Sequence, residues 1–181
     1  MAVQPGRHQL GPDRGRIIVR TFRDGLAATA GHDLTIEATR WSGALDIGED
    51  LGPAGLEVRV DMNALVVRDG TGGIKPLSDR DRREIAVTAR KVLAADRNPE
   101  AVFTAGTFAP GPDGGGEIGG TFTLRGAARP LTLRVSETGP GQYHAEGAVV
   151  QSGYGIKPYT AFLGALRVRD AVGIVIDADL S

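Results

Sequence analysis

Few residues in this sequence are placed to do chemistry, and the ones that are suggest binding more than turnover. Its three His stand at positions 8, 32 and 144, scattered and without the i, i+4 pair that often supplies two ligands of a catalytic zinc. No metal and no cofactor is expected. The most suggestive polar pair is His32-Asp33, which follows the small-residue run Ala27-Ala-Thr-Ala30 and Gly31. An imidazole beside a carboxylate can move a proton near neutral pH. The same pair can instead bond to backbone and organise a turn. No Ser sits in a nucleophile elbow, no carboxylate pair is spaced for glycoside hydrolysis, and the absence of Cys removes thiolate nucleophiles, thiolate metal sites and disulfides.

Two glycine motifs imitate phosphate loops. Gly114-Gly-Gly-Glu-Ile-Gly119 has the G-x-G-x-x-G spacing, yet it precedes a strand pattern and not a helix, so it reads as a hairpin turn. Gly70-Thr-Gly-Gly-Ile-Lys75 lacks the Gly before Lys and the hydroxyl after it, and fails as a Walker motif. A short echo is more informative: Gly73-Ile-Lys-Pro76 recurs as Gly155-Ile-Lys-Pro158, and the two motifs hold Lys75 and Lys157 in a chain otherwise rich in Arg. A compact ammonium in a rigid Gly/Pro frame suits a carboxylate, a phosphate or backbone carbonyls. The expectation is that both loops flank one opening.

The elements that must position these groups are mostly strands. Leu56, Val58, Val60 and Met62 alternate with Glu57, Arg59 and Asp61; Leu131, Leu133 and Val135 do so with Thr132 and Arg134; Val172, Ile174, Ile176, Ala178 and Leu180 face away from Asp177 and Asp179. Each is a strand with one buried face. Weaker alternation over residues 17–22, 34–38, 41–47, 102–108, 118–124 and 143–150 brings the count to about nine. Gly and Pro between them favour hairpins over crossovers. One segment, 78–96, changes period: Ile85, Ala89, Val92 and Leu93 recur at helical spacing opposite Arg83, Arg90 and Arg97, with Ser78 and Asp81 as a capping box and Asn98-Pro99 as a stop. The product is a mainly β chain with one amphipathic helix inserted midway. It must close into a barrel or stack as a sandwich to protect its edges.

Composition agrees. The chain has 181 residues, 27 of them Gly and 10 Pro, with 41% hydrophobic residues and few aromatics. That length allows one domain with a sizeable core built from Val, Ile, Leu and Ala. Residues 1–14 read as a flexible N-terminal segment and 15–181 as a single barrel domain. A net charge of −1 supplies no general field for nucleic acid. No apolar run reaches the length of a membrane span or a signal peptide, so a soluble, cytoplasmic protein is expected.

The order of short motifs is similar to that of the YceI-like family of lipocalin-like barrels. Gly120-Thr-Phe-Thr-Leu-Arg-Gly126, Arg129-Pro-Leu-Thr-Leu133, Ser152-Gly-Tyr-Gly-Ile156 and the closing strand carry the resemblance in the second half. Gly31-His-Asp-Leu34, Trp41-Ser-Gly43 and Asn98-Pro-Glu-Ala-Val-Phe103 carry it in the first. It covers residues 15–181. Two features depart from the family pattern: Gly-Ile-Lys-Pro replaces an Arg-Asp-x-x-Leu approach to the helix, and Tyr154 stands where Phe is common. The resemblance implies an extended eight-stranded antiparallel barrel whose interior holds a polyisoprenoid or other long-chain amphiphile, and a homodimer.

A barrel of about eight strands can be filled by side chains or can keep room for one ligand, and small residues with few aromatics favour room. The expected apolar lining is Leu34, Ile36, Trp41, Leu45, Val58, Val60, Phe103, Phe122, Leu124, Leu133, Val149 and Phe162. The expected polar mouth is His32, Asp33, Lys75, Tyr154, Lys157 and Tyr159. The leading expectation is non-enzymatic binding, transport or sequestration of an isoprenoid, isoprenoid quinone or fatty-acyl lipid. The alternatives are a lipid-modifying enzyme using His32 and Asp33, and a filled barrel acting as an interaction module.

Overall fold

The computed structural model describes residues 3–181. Fourteen strands and one helix run in the order β1 (Gly6–Leu10), β2 (Gly15–Thr21), β3 (Arg23–Asp24), β4 (His32–Ala38), β5 (Trp41–Ile47), β6 (Pro53–Asp61), β7 (Leu65–Gly72), α1 (Asp79–Val92), β8 (Glu100–Pro110), β9 (Gly116–Leu124), β10 (Ala127–Gly139), β11 (Gln142–Val150), β12 (Thr160–Ala161), β13 (Leu166–Val168) and β14 (Ala171–Asp179). Eleven strands form one antiparallel sheet in the order β1-β5-β6-β8-β9-β10-β11-β14-β2-β4-β7, and β12-β13-β3 make a small second sheet.

Eleven strands replace the expected eight because two staves of the barrel bend sharply. The pairing of β4 with β7 ends at Ala38 opposite Leu65, and that of β5 with β6 begins at Trp41 opposite Val60. Between them, Thr39 N–H donates to the Ala64 carbonyl (2.9 Å) and Asp61 N–H to the Arg40 carbonyl (3.0 Å), so the ladder continues around the corner. With β4–β5 and β6–β7 each taken as one bent strand and β1 set aside, eight staves remain. The sheet thereby curls into a barrel with its apolar faces inward.

Five strands, β1, β3, β7, β12 and β13, lie outside the segments expected from the sequence, and two of them, β1 and β7, belong to the large sheet. The 1–14 segment was expected to be flexible, yet Gly6–Leu10 pairs along β5, with Leu10 opposite Gly43. Only Leu10 is apolar in that stretch, so hydrophobic alternation gives no sign of it; ladder bonds hold it instead. Residues 1 and 2 of that segment lie outside the described residues. β7 is apolar only over its first three residues and ends in Arg-Asp-Gly-Thr-Gly, with Arg68 as an extra residue opposite Thr35 and Ile36.

α1 begins as its sequence predicts. Ser78 Oγ accepts from Asp81 N–H (3.1 Å), and the Asp81 carboxylate accepts from Ser78 N–H (2.9 Å). It ends at Val92, before Asn98-Pro99: Ala94 takes a left-handed φ of 49°, and Ala95 N–H reaches back to the Arg90 carbonyl at 3.0 Å. The helix lies along β7 and covers its free edge. Of the four glycines inside strand patterns, Gly43, Gly120 and Gly147 face inward. At Gly120 a Cβ would overlap the Thr104 carbonyl oxygen and stand 2.8 Å from the Phe103 Cζ, and at Gly147 it would stand 2.7 Å from the Leu133 Cδ2. The first glycine thus admits a close approach of the neighbouring backbone, and both leave room for a large side chain on the wall. Gly173 faces outward, where its nearest neighbour would be Arg20 Cβ at 3.6 Å.

Candidate functional site

The inward faces do not meet in the middle. They enclose a cavity of about 1180 Å³, larger than the roughly 300–1,000 Å³ of ordinary small-molecule sites. The interior is therefore open, and the filled-barrel alternative fails. Alternate residues supply the wall: Ile17, Val19 and Thr21 from β2, Leu56, Val58 and Val60 from β6, Val172, Ile174, Ile176 and Ala178 from β14. The inner face of α1 joins them through Ile85, Ala89, Val92 and Leu93, the residues that set its helical period.

Of the expected apolar lining, Leu34, Ile36, Trp41, Leu45, Val58, Val60, Phe103, Phe122, Leu124, Leu133 and Val149 all line this cavity. Phe162 does not. It is exposed at the start of the 3-10 turn Phe162–Gly164, outside any strand, so no pleat directs its side chain inward.

The six expected mouth residues separate. His32, Lys75 and Tyr159 line the cavity, whereas Asp33, Tyr154 and Lys157 do not. The His32 Nε2–H donates to the Lys75 carbonyl (2.8 Å), tying the start of β4 to the loop after β7. Asp33 turns away and accepts from the Arg23 backbone N–H (2.8 Å), with the Arg23 Nε 3.9 Å away. The pair is split between two backbone contacts, which is the turn-organising role. Tyr154 is buried in the core, its ring edge-on to Phe122 with centroids 5.7 Å apart, and burial pushes its phenol up. The second Gly-Ile-Lys-Pro loop contributes buried Ile156 to the lining, while Lys157 points to solvent; in the first loop Lys75 lines the cavity and Ile74 is exposed. The two copies thus share one end of the barrel with opposite residues turned inward.

Sequence reasoning missed the other charged groups at that end. Arg23 and Arg167 come from β3 and β13, strands too short to show a period, and Asp81 and Glu84 come from the first turns of α1. Arg23 donates from Nη1 to the Gly31 carbonyl (2.8 Å), and Arg167 pairs with Asp24 at 3.4 Å. The far end is lined by the turn before β6, by the turn between β8 and β9 with its flanking strand ends, and by Tyr143, whose phenol is pushed up by burial and by Glu137. Among the described residues no group of three or more His, Cys, Asp or Glu could hold a metal ion, and no helix is long and apolar enough to cross a membrane.

Known structures share this architecture. Burkholderia cenocepacia BcnA superposes with a TM-score of 0.63 at 13% identity, covering 90% of this chain and 94% of its own. The Campylobacter jejuni YCEI protein superposes with a TM-score of 0.58 at 13% identity, covering 80% and 83%. No curated protein matches the sequence significantly. The model of the YceI-like domain matches residues 20–180, nearly the whole barrel, and the chain belongs to that family.

Proposed function

We propose that this protein binds a long-chain amphiphile, an isoprenoid, isoprenoid quinone or fatty-acyl lipid, in the barrel interior and carries or sequesters it without chemical change. The observation that supports this is the 1180 Å³ cavity with walls of Val, Ile, Leu and Phe. Burial gives about 0.8 kcal/mol per CH2, and association costs roughly 4–15 kcal/mol. About 5 to 19 methylenes therefore only offset that cost, and micromolar affinity takes roughly ten more. The balance favours long chains over short ones. The charged groups at one end, Arg23, His32 and Lys75 beside Asp81 and Glu84, suit a polar head that stays at the opening. A non-enzymatic role fits the commitment of His32 and Asp33 to backbone partners.

Native mass spectrometry of protein purified from its own host tests this. A bound mass released by organic solvent, with uptake of a fluorescent long-chain fatty acid or prenol, is expected. Protein that carries no lipid and takes up neither probe would overturn the reading.

A further inference from the structure

We infer that the charged end of the barrel docks on the surface of an anionic phospholipid bilayer. Among the described residues the four most exposed large apolar side chains are Leu163 (109%), Leu26 (100%), Ile74 (86%) and Phe162 (65%). All four stand on loops at the end where His32, Arg23 and Lys75 meet the cavity. The loops form one rim. Ala27 N–H donates to the Ala165 carbonyl (2.9 Å), a Cβ at Gly31 would stand 2.6 Å from Leu166 Cδ1, and His32 is bonded to Lys75. Phe162 and Leu163 hold left-handed φ values of 49° and 55°, conformations that L side chains avoid, so the turn presents two large apolar groups at a backbone cost.

Charge supports a membrane as the occupant. The projecting segments 25–31, 71–77 and 153–166 contain Lys75 and Lys157 and no carboxylate. Most of the nearby carboxylates sit at their roots and are engaged, Asp24 with Arg167, Asp33 with Arg23, Asp81 in the α1 cap, Glu84 with Arg80, and Asp170 accepting from Ser152 N–H at 2.7 Å, while Asp79 at the start of α1 is exposed. Apolar tips with adjacent cations are what an interfacial site needs, since each tip buries area among acyl chains while a Lys remains at the anionic headgroups. A water-facing loop would ordinarily carry Asn, Asp or Ser at such tips. This surface does not depend on which molecule fills the cavity, and it would place the opening against the bilayer.

The test is flotation of the full chain with vesicles of phosphatidylcholine and phosphatidylglycerol. The unaltered protein should float at low salt, and Leu26→Asp with Leu163→Asp should weaken this roughly tenfold or more. Lys75→Ala with Lys157→Ala should weaken it only on the anionic vesicles and remove most of its salt dependence. Both double variants should keep their fold by circular dichroism, and the Asp variant, whose two residues lie outside the cavity wall, should keep its uptake of a soluble fluorescent fatty acid, which separates docking from cargo binding. Absence of binding by the unaltered protein, or binding unchanged in the Asp variant, overturns the inference. So does self-association abolished by the Asp variant without vesicle binding, which would make the patch an interface between copies of this chain.

Discussion

The ring of His32 packs on the backbone of Gly73, so that a Cβ at residue 73 would overlap the ring, while its Nε2–H donates to the Lys75 carbonyl at 2.8 Å. Gly73 also holds a left-handed φ of 73°. Gly73→Ala is therefore expected to destabilise the protein by about 1–3 kcal/mol, through strain and displacement of the imidazole. His32→Ala should cost only about 0.5–1.5 kcal/mol, the worth of one partly exposed hydrogen bond. Urea denaturation checks both. If His32 only organises this turn, its removal should leave amphiphile affinity nearly unchanged; a large loss would assign the imidazole to the ligand.

Narrowing the lumen should weaken binding without unfolding the barrel. Ala145 is half-buried and faces the cavity from β11. Ala145→Phe directs a ring into the lumen, and an overpacking cost of about 1–3 kcal/mol at most is expected. Titration with a fluorescent fatty acid should show weakened affinity for this variant. The same substitution at an outward position, Glu146 on the same strand, should have no such effect.

How much of this was legible in the sequence depended on periodicity. Leu131, Leu133, Val149, Val172 and Ile176 line the barrel as their alternation requires, and the Ser78–Asp81 cap starts α1 where expected. β1 has no apolar alternation, and β7 loses its own after Val67, so pairing partners far along the chain decide both. Tyr154 is expected at the polar mouth, yet Gly155 with φ 67° turns the chain there and leaves the ring beside Phe122. Position in a motif places a residue on a loop; it does not say which way the loop faces.

Helix capping gives a test of how far the wall depends on α1. Ser78→Ala removes the acceptor for Asp81 N–H and should cost about 0.5–2 kcal/mol. Hydrogen bonds from Ser78 hold the Asp81 carboxyl below its ordinary value, so the cap's contribution is present above the unfolded value and is lost as pH falls through the folded one. The stability gap between Ser78→Ala and the unaltered protein should shrink in acid. A gap independent of acidity would mean that the capping box is not formed in solution.

On the outer face, His144 is held between two carboxylates, Nδ1 2.7 Å from Asp177 and Nε2 3.2 Å from Glu146. Bonding to Asp177, then to Glu146, raises its value above the ordinary one, against a smaller opposing effect of burial. A raised folded value means that the contribution is complete below the unfolded value of about 6.5 and disappears as pH rises through the folded one. Asp177→Asn should therefore destabilise more at about pH 5.5 than at about pH 9. Urea midpoints across that range test it, and a constant difference would remove the proton from the account.

Trp41 offers the most direct view of the cavity, since it is the only Trp in the chain, lies buried at the corner between the bent staves, and lines the lumen. Brominated acyl chains quench an indole only at close range, so a dibrominated fatty acid should quench most of the protein's Trp emission in a saturable manner. An outside-bound chain would leave it bright. The indole Nε1–H is buried without a hydrogen-bond partner, and an unmade bond of this kind costs about 1–3 kcal/mol. Trp41→Phe keeps an aromatic wall and removes that orphan donor, while its smaller ring gives up some packing. The two effects oppose each other, so the variant is expected within about 1 kcal/mol of the unaltered protein, far from the roughly 3–5 kcal/mol of a large aromatic cut to Ala. A loss of that larger size in Trp41→Phe would show that the indole N–H has a partner in solution, for which a ligand's polar group or a buried water would be the donor's acceptor.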